Sequence, residues 1–442
     1  MTNLDEGVAA PMVTPDHPPA VLYRRPYVNY VIGVLTTVYV FNFVDRQILS
    51  ILMQPIKEEM QISDTALGFL SGIAFALFYA TLGIPIARLA DRWSRVNIIT
   101  ISLSLWSLMT AVCGLAQNYW QLLISRILVG VGEAGGGPSS HSLIADYVPM
   151  ENRSTALGIF ALGVPLGLLF GFLIGGWLEE LYGWRVAFLS VGLPGLLLAV
   201  VVRLTLREPP RGHADGGARV AAAAQPPIRD VARALWKQKS FRHLALATAV
   251  QAIAGYGVIQ WVPSFLHRSH QMTSGEIGTA LALILGVGGA IGTAAGGYIA
   301  DRMGKRDMRW QLWIPAIGAM TGAPFAFGIY LAPTALETLA WFAVPILFIN
   351  AYHGPAFAMT QALAPVSMRA MAAAVLLFVL NIIGLGLGPQ LVGIASDLLH
   401  PLYGNESLRY ALLCVSMVYV WAAAHFWMGA RTLRQDLASV TK

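Results

Sequence analysis

Along most of this chain apolar residues neither alternate with polar ones nor keep to one helical stripe; they run on for about 20 residues before a short polar interval intervenes. Runs of that length cross a hydrocarbon layer of about 30 Å as a helix. Lipid offers backbone N–H and C=O groups no partner, so a spanning segment is a helix or part of a closed barrel, and unbroken runs lack a barrel's alternation. The pattern therefore predicts an all-α membrane protein with twelve transmembrane helices in two six-helix bundles. The helices fall near 28–51, 66–88, 97–117, 121–146, 155–178, 184–206, 242–266, 276–300, 310–331, 338–360, 371–396 and 408–430. The expected organisation is an N-terminal tail over 1–27, a first bundle over 28–206, a linker over 207–241, a second bundle over 242–430 and a tail over 431–442.

Composition agrees: 56% of residues are apolar and 12% charged, about half the charged share of a soluble domain. Glycines inside runs such as Gly286–Gly297 read as close helix packing rather than loops. Cys113 and Cys414 each fall in an apolar run, so no disulfide framework is expected. The first 27 residues lack the apolar core of a cleavable signal, which leaves the first membrane helix as the insertion signal.

Charge sets the orientation. Of 29 Lys and Arg, 4 lie in loops or at helix ends on one side (Lys57, Arg185, Arg268, Arg409), two (Arg46 and Arg126) lie well within helices, and the other 23 lie on the side of both termini. Basic loops stay inside, so both termini are expected in the cytoplasm, and the compact loops and short tail fit a bacterial inner membrane. The net charge of +6 is thus topological, and nothing resembles a nucleic-acid module. The linker carries Gly216, Gly217, Ala221–Ala224, Pro226 and Pro227 and reads as solvated chain. Its end, Ile228 to Trp236, reads alternatively as an interfacial helix with Arg229, Arg233 and Lys237 on lipid headgroups.

The halves repeat. Ala87-Arg88-Leu89-Ala90-Asp91-Arg92-Trp93-Ser94-Arg95 follows the second helix, and Gly297-Tyr298-Ile299-Ala300-Asp301-Arg302-Met303-Gly304-Lys305-Arg306 follows the eighth. Pro149 and Arg153 after helix four are echoed by Pro365 and Arg369 after helix ten. The pattern Gly-x-x-x-Asp-Arg-x-Gly-x-Arg/Lys at these places resembles the signature loop of the major facilitator superfamily, with Ala87 and Ser94 as departures. The resemblance implies that Asp91, Arg92, Asp301 and Arg302 form a cytoplasmic gate. A plain positive-inside turn would explain the arginines but not the repeated aspartate.

Four charged residues fall well inside helices: Asp45 and Arg46 in the first, Arg126 and Glu133 in the fourth. Each costs at least ~2.5 kcal/mol at a bilayer centre, so all four should face the interior or one another. Tyr39, Asn42, Asp45 and Arg46 share a polar face, and Arg126 and Glu133 lie two turns apart with Gly130 between them where a neighbouring helix can approach. One charge-balanced network between helices one and four is expected. Static ion pairs are the alternative, but buried pairs add little net stability, whereas a carboxylate poised between burial and an arginine can exchange a proton.

Asn42-Phe-Val-Asp45-Arg46, Gly68 and Leu70 after Ile62-Ser63-Asp64, and Arg126-x-x-x-Gly130-x-Gly132-Glu133-Ala134 leading to Ile144-Ala145-Asp146 resemble the spinster family of lipid transporters. That resemblance implies proton coupling at Asp45 and Glu133, with Arg46 and Arg126 as their partners or as contacts for an anionic headgroup. It also implies a lysophospholipid or sphingoid-type cargo. Gly135, Gly136 and Gly137 depart from the eukaryotic pattern at the cavity wall. Helix five, with Gly158, Gly163, Pro165, Gly167 and Gly171, reads either as a packing face or as a variant of the exporters' glycine-proline pattern.

The second half offers only neutral candidates for lining a cavity: Gln251, Tyr256, Gln260, Trp261, Asn350, His353 and Asn381. No His-Glu-x-x-His, paired cysteines or phosphate loop is present, so neither an enzyme nor ATP coupling is expected. The expected function is a monomeric, proton-coupled secondary transporter of an amphipathic anion, without cofactor, in contact with membrane lipids. The alternatives are a carrier of a soluble organic anion and a non-transporting sensor.

Overall fold

The computed structural model describes residues 23–90, 92–215, 228–365 and 368–440. Among the described residues twelve helical rods cross the molecule: Arg25–Met60, Asp64–Ala90, Arg95–Cys113, 119–147, Met150–Tyr182 and Trp184–Thr205 in the first bundle, and Lys239–His270, Ser274–Gly304, Trp310–Leu331, Ala335–Ala362, 369–403 and 407–440 in the second. They are called helices one to twelve below. Among the described residues there is no strand. The face that carries the linker is called the linker face.

Several rods outrun the apolar runs that predict them. Helix one continues past 51 to Met60 with Pro55 inside it, and ends where Gln61 takes a left-handed conformation at φ 52°. Helices in a bundle tolerate such a proline because neighbours and side chains satisfy the freed carbonyl. Other rods are interrupted. Helix four breaks after Glu133 and resumes at Gly136; helix ten tightens over Asn350–Tyr352; helices eight and eleven widen into π-turns over Ala282–Gly288 and Leu380–Leu387. Neither the breaks nor the π-turns follow from hydropathy.

Helix five crosses helix one through its small residues. A Cβ on Gly163, Gly167 or Gly171 would stand 2.8 Å from Tyr39, 2.3 Å from Phe43 or 2.8 Å from Gln47. This stripe is therefore a packing face, while Gly158 has open space around it. Towards the face opposite the linker, helix five also meets helix eight, where a Cβ on Gly278 would lie 2.3 Å from the Phe172 carbonyl and 3.1 Å from the Gly176 Cα.

The two bundles are sealed at that opposite face. Asp64, which begins helix two, accepts from Arg268 of helix seven, Ser396 of helix eleven and Lys57 of helix one. The backbone N–H groups of Asp64 and Thr65 donate to the carboxylate of Asp397 at 3.1 and 2.7 Å, so an anion from the second bundle caps a helix N-terminus of the first. Arg268 Nε also donates to Gln54 at 2.6 Å. Towards the linker, this close packing runs as far as Gly386 against Ala76 and Gly286 against Leu169. The conformation is closed opposite the linker and open towards it.

Candidate functional site

The interior charges of helices one and four pair crosswise. Arg46 Nε donates to Glu133 Oε2 at 2.7 Å, and Arg126 Nη1 lies 3.6 Å from Asp45 Oδ1, an ion pair beyond hydrogen-bond length. Adjacent residues of a helix point about 100° apart, so Asp45 and Arg46 reach different parts of helix four. The long Arg46 side chain tilts towards the start of its own helix, as helical side chains do, which carries it to the Glu133 level. Asp45, Arg126 and Glu133 are 1%, 2% and 1% exposed, whereas the Arg46 side chain keeps 12% exposure beside its fully buried partner. Arg46 therefore borders the open space between the bundles.

Helices two and three complete the site with residues that the charge pattern did not single out. Phe75 lies between the two guanidiniums, its ring 5.2 Å from Arg46 and 5.7 Å from Arg126. Tyr79, one turn further, lies 4.4 Å from Arg46, and Phe43 lies 5.1 Å from it. Cations over ring faces keep favourable electrostatics without water. Thr110 of helix three donates to Asp45 Oδ1 at 2.6 Å. The approach of helix two is set by Gly130, where a Cβ would lie 2.9 Å from the Phe75 carbonyl. Even so, Asp45 Oδ2, Glu133 Oε1 and Arg126 Nε stay buried without a hydrogen-bond partner. These atoms carry spare acceptor and donor capacity at the centre of the first bundle.

Tyr39 stacks on Phe160 at 4.4 Å, and His141, exposed on helix four, meets the same ring at 5.1 Å. Tyr39, Tyr79 and, from the second bundle, Tyr256 lie within electrostatic reach of Arg46. Asn42 is buried at 6% exposure. Half-buried Asn381 lies in the π-turn of helix eleven.

Other proposed lining residues are placed differently. Trp261 is fully buried and donates to the Pro389 carbonyl at 2.8 Å, and Gln260 donates to Met53 Sδ at 3.1 Å; both belong to the sealed seam and line no open space in this conformation. Gln251, 1% exposed, ties helix seven to the Ile349 carbonyl of helix ten, which is a bond within the bundle. Asn350 donates to the Ile346 carbonyl and lines a small cavity within the second bundle beside Tyr330 and Tyr419, as expected of a lining residue though not at the space between the bundles, and His353 packs on Tyr352 with Nδ1 3.2 Å from the Asn350 carbonyl at the tightened turn of helix ten. Periodicity identified these residues as polar, but their contacts depend on which neighbour lies opposite.

At the linker face, Asp91 lies outside the described residues, and Arg92 is exposed. Asp301 accepts from Gln311 at 3.1 Å, and exposed Arg302 lies 3.4 Å from the Tyr298 hydroxyl. The linker's first residues form a strap beneath the loop between helices two and three. Buried Arg95 donates to Glu208 at 2.7 Å and to Asp146, Arg211 donates to the carbonyls of Ala90 and Trp93 at 2.7 and 3.0 Å, and the Gly212 N–H donates to Asp146 at 2.9 Å. Partial burial would raise the Glu208 pKa, but the Val96 N–H, the Arg95 guanidinium and the Ser94 hydroxyl outweigh it and hold the carboxyl below its ordinary range.

Comparison with known proteins follows this geometry. The Major Facilitator Superfamily model matches residues 35–389. An MFS-type efflux pump of Mycolicibacterium smegmatis is 33% identical over 92% of this chain and 93% of its own length. The sphingosine-1-phosphate transporter SPNS2 of Mus musculus is 26% identical over 92% of this chain and 78% of its own. Among solved structures, a bacterial homologue of the human lysosomal transporter Spinster, in an inward-facing and unoccupied conformation, superposes with a TM-score of 0.87 at 31% identity, covering 94% of this chain and 99% of that one. The protein is a multi-pass membrane transporter, not an enzyme, and belongs to the major facilitator superfamily and within it to the spinster family.

Proposed function

We propose that the protein is a proton-coupled secondary transporter of an amphipathic anion, a lysophospholipid or sphingoid-type lipid, that works by alternating access in a bacterial inner membrane. The linker face is cytoplasmic on this reading, since it carries 23 of the 29 basic residues, and the described conformation is the inward-open one.

The crossed pairs of helices one and four carry the coupling assignment. Arg46 is the one member of the network that borders open space, and its counter-ion Glu133 is buried with one oxygen unpartnered. Protonating Glu133 removes the charge that holds Arg46, and the guanidinium then turns to an anionic headgroup. Loss of the proton draws the guanidinium back. Asp45, held by Thr110 beside Arg126, is the second exchangeable carboxylate. The rings of half-buried Tyr39, Tyr79 and Tyr256 give the cargo an apolar wall next to the charge. The transporter named for sphingosine-1-phosphate among the relatives supports a cargo that joins an anion to a long hydrocarbon chain.

Uptake into proteoliposomes under an imposed pH gradient tests this. Wild-type protein accumulates lysophospholipid, and undiminished accumulation by the Asp45→Asn, Glu133→Gln double variant would overturn the coupling assignment. Arg46 recognises charge rather than a tail, so a soluble organic anion is the second reading. Competition by short-chain carboxylates as strong as that by lysolipids would favour it.

A further inference from the structure

The linker helix Ile228–Lys237 buries two apolar residues one turn apart, Val231 and Leu235, at 0% and 2% exposure, among Phe241, Leu363, Ala372 and Leu376 of the second bundle. Gln238, just beyond it, donates to the Leu363 carbonyl at 2.8 Å and pins its end to helix ten. With that stripe turned inward, Arg229, Arg233, Trp236 and Lys237 are exposed, Trp236 at 52%. Ala232, Arg233, Trp236 and Lys237 line a shallow recess of about 390 Å³. Lys239 and Arg242 follow directly at the start of helix seven. Asp230 is the helix's own acidic residue, and it stands 3.8 Å from Arg233 with both side chains more than half exposed, a pair too open to neutralise the surface.

An indole exposed to water gains nothing from its apolar face, whereas at the level of headgroups it buries its ring and keeps its N–H wet. Cations around it are complementary to phosphodiesters at the same depth. None of these side chains takes part in the interior pairs or the seam opposite the linker.

We propose that the linker helix is a binding site for anionic phospholipids of the linker-side leaflet, with Arg233 and Lys237 meeting the headgroup phosphate, Trp236 covering the glycerol region and Arg229 adding to the field. A lipid held there rests on the linker-side ends of helices seven, ten and eleven and is separate from any cargo at Arg46. The site does not depend on the transported substrate.

The full-length protein in nanodiscs of phosphatidylcholine with a minor share of phosphatidylglycerol provides the test, with retained lipid counted by native mass spectrometry. Wild-type protein is expected to enrich phosphatidylglycerol, less so at high salt. The R233Q/K237Q variant should lose about fivefold of that enrichment per removed cation, and Trp236→Ala should weaken it further. R24Q/R203Q, which removes two exposed cations of the first bundle, should keep it. Undiminished enrichment in R233Q/K237Q, or an equal loss in R24Q/R203Q, overturns the site. Loss in Arg46→Ala instead would assign the lipid to the interior, and thermal stabilisation by inorganic phosphate without lipid enrichment would assign the surface to a soluble anion; either result overturns the proposal.

Discussion

Arg268 of helix seven grips Asp64 of helix two with both terminal nitrogens, Nη1 2.7 Å from Oδ2 and Nη2 2.7 Å from Oδ1, and so bolts the two bundles together at the face opposite the linker. The bidentate form fixes angle as well as distance. Lys57 and Ser396 occupy the same carboxylate, and Gln54 holds the remaining edge of the guanidinium. Breaking a buried pair by removing one partner costs about 3–5 kcal/mol, because it strands the other charge. Asp64→Asn is therefore expected to destabilise the linker-open conformation. Spin-label distances across the opposite face, in a protein with Cys113 and Cys414 replaced, should lengthen. An unchanged distribution would show that the bolt does not govern the equilibrium.

Coupling and binding should separate at the interior pairs. Glu133→Gln keeps the shape of the buried acid but not its exchangeable charge. Uptake driven by a pH gradient should fall about tenfold or more, equivalent to at least ~1.4 kcal/mol, while solute exchange without a gradient stays within about threefold. Arg46→Ala should abolish both. An Arg46→Ala protein that exchanges normally would remove the guanidinium from the binding step.

Phe75 faces two guanidiniums, and each cation–π contact of this kind contributes about 0.5–2 kcal/mol. Phe75→Leu retains an apolar side chain of similar reach without the ring. Its unfolding free energy in mild detergent should drop by about 1–3 kcal/mol, and an Arg126→Met background should reduce that drop. Equal losses in both backgrounds would mean that the ring acts only through packing.

Gly278 marks the crossing of helices five and eight. An alanine Cβ there would press on the Phe172 carbonyl at 2.3 Å, and backbone cannot yield as a flexible side chain can. Overpacking of this kind costs about 1–3 kcal/mol. Gly278→Ala should therefore shift the protein away from the linker-open state, read as slower modification of single cysteines placed on the linker-side cavity wall. Gly158→Ala, where no atom lies within 4 Å, is the matched control.

The strap at the linker face should respond to acid. The folded Glu208 carboxyl lies below its ordinary range, so its contribution is present above the unfolded pKa of about 4.3 and is lost as pH falls through the lower folded value. Amide exchange over 207–215 should accelerate only as the pH drops below that ordinary value. Glu208→Gln should exchange faster at neutral pH and flatten the dependence. Protection that does not change with pH would show that the Arg95 and Arg211 contacts hold the strap without Glu208.

Sequence by itself determined the solvent, the helix count and the two-half architecture, because hydrocarbon admits few structures and unbroken apolar runs report them locally. It also marked Asp45, Arg46, Arg126 and Glu133, since a charge within such a run has to be compensated somewhere nearby. It did not determine the pairing. Which oxygen meets which guanidinium follows from the crossing of helices one and four and from the tilt of a long side chain, and hydropathy encodes neither. Phe75, Tyr79 and Thr110 are ordinary residues of apolar helices until packing brings them against a charge. Trp261 and Gln260 have the composition of a cavity wall, yet lie in the seam because helices one and eleven press on that side of helix seven. The bolt at Asp64 was the least legible, for its partners lie 204 and 332 residues away and look, one at a time, like soluble loop ends. Tertiary structure alone decided which face is sealed, because that depends on contacts between the two bundles, which hydropathy within either bundle does not report.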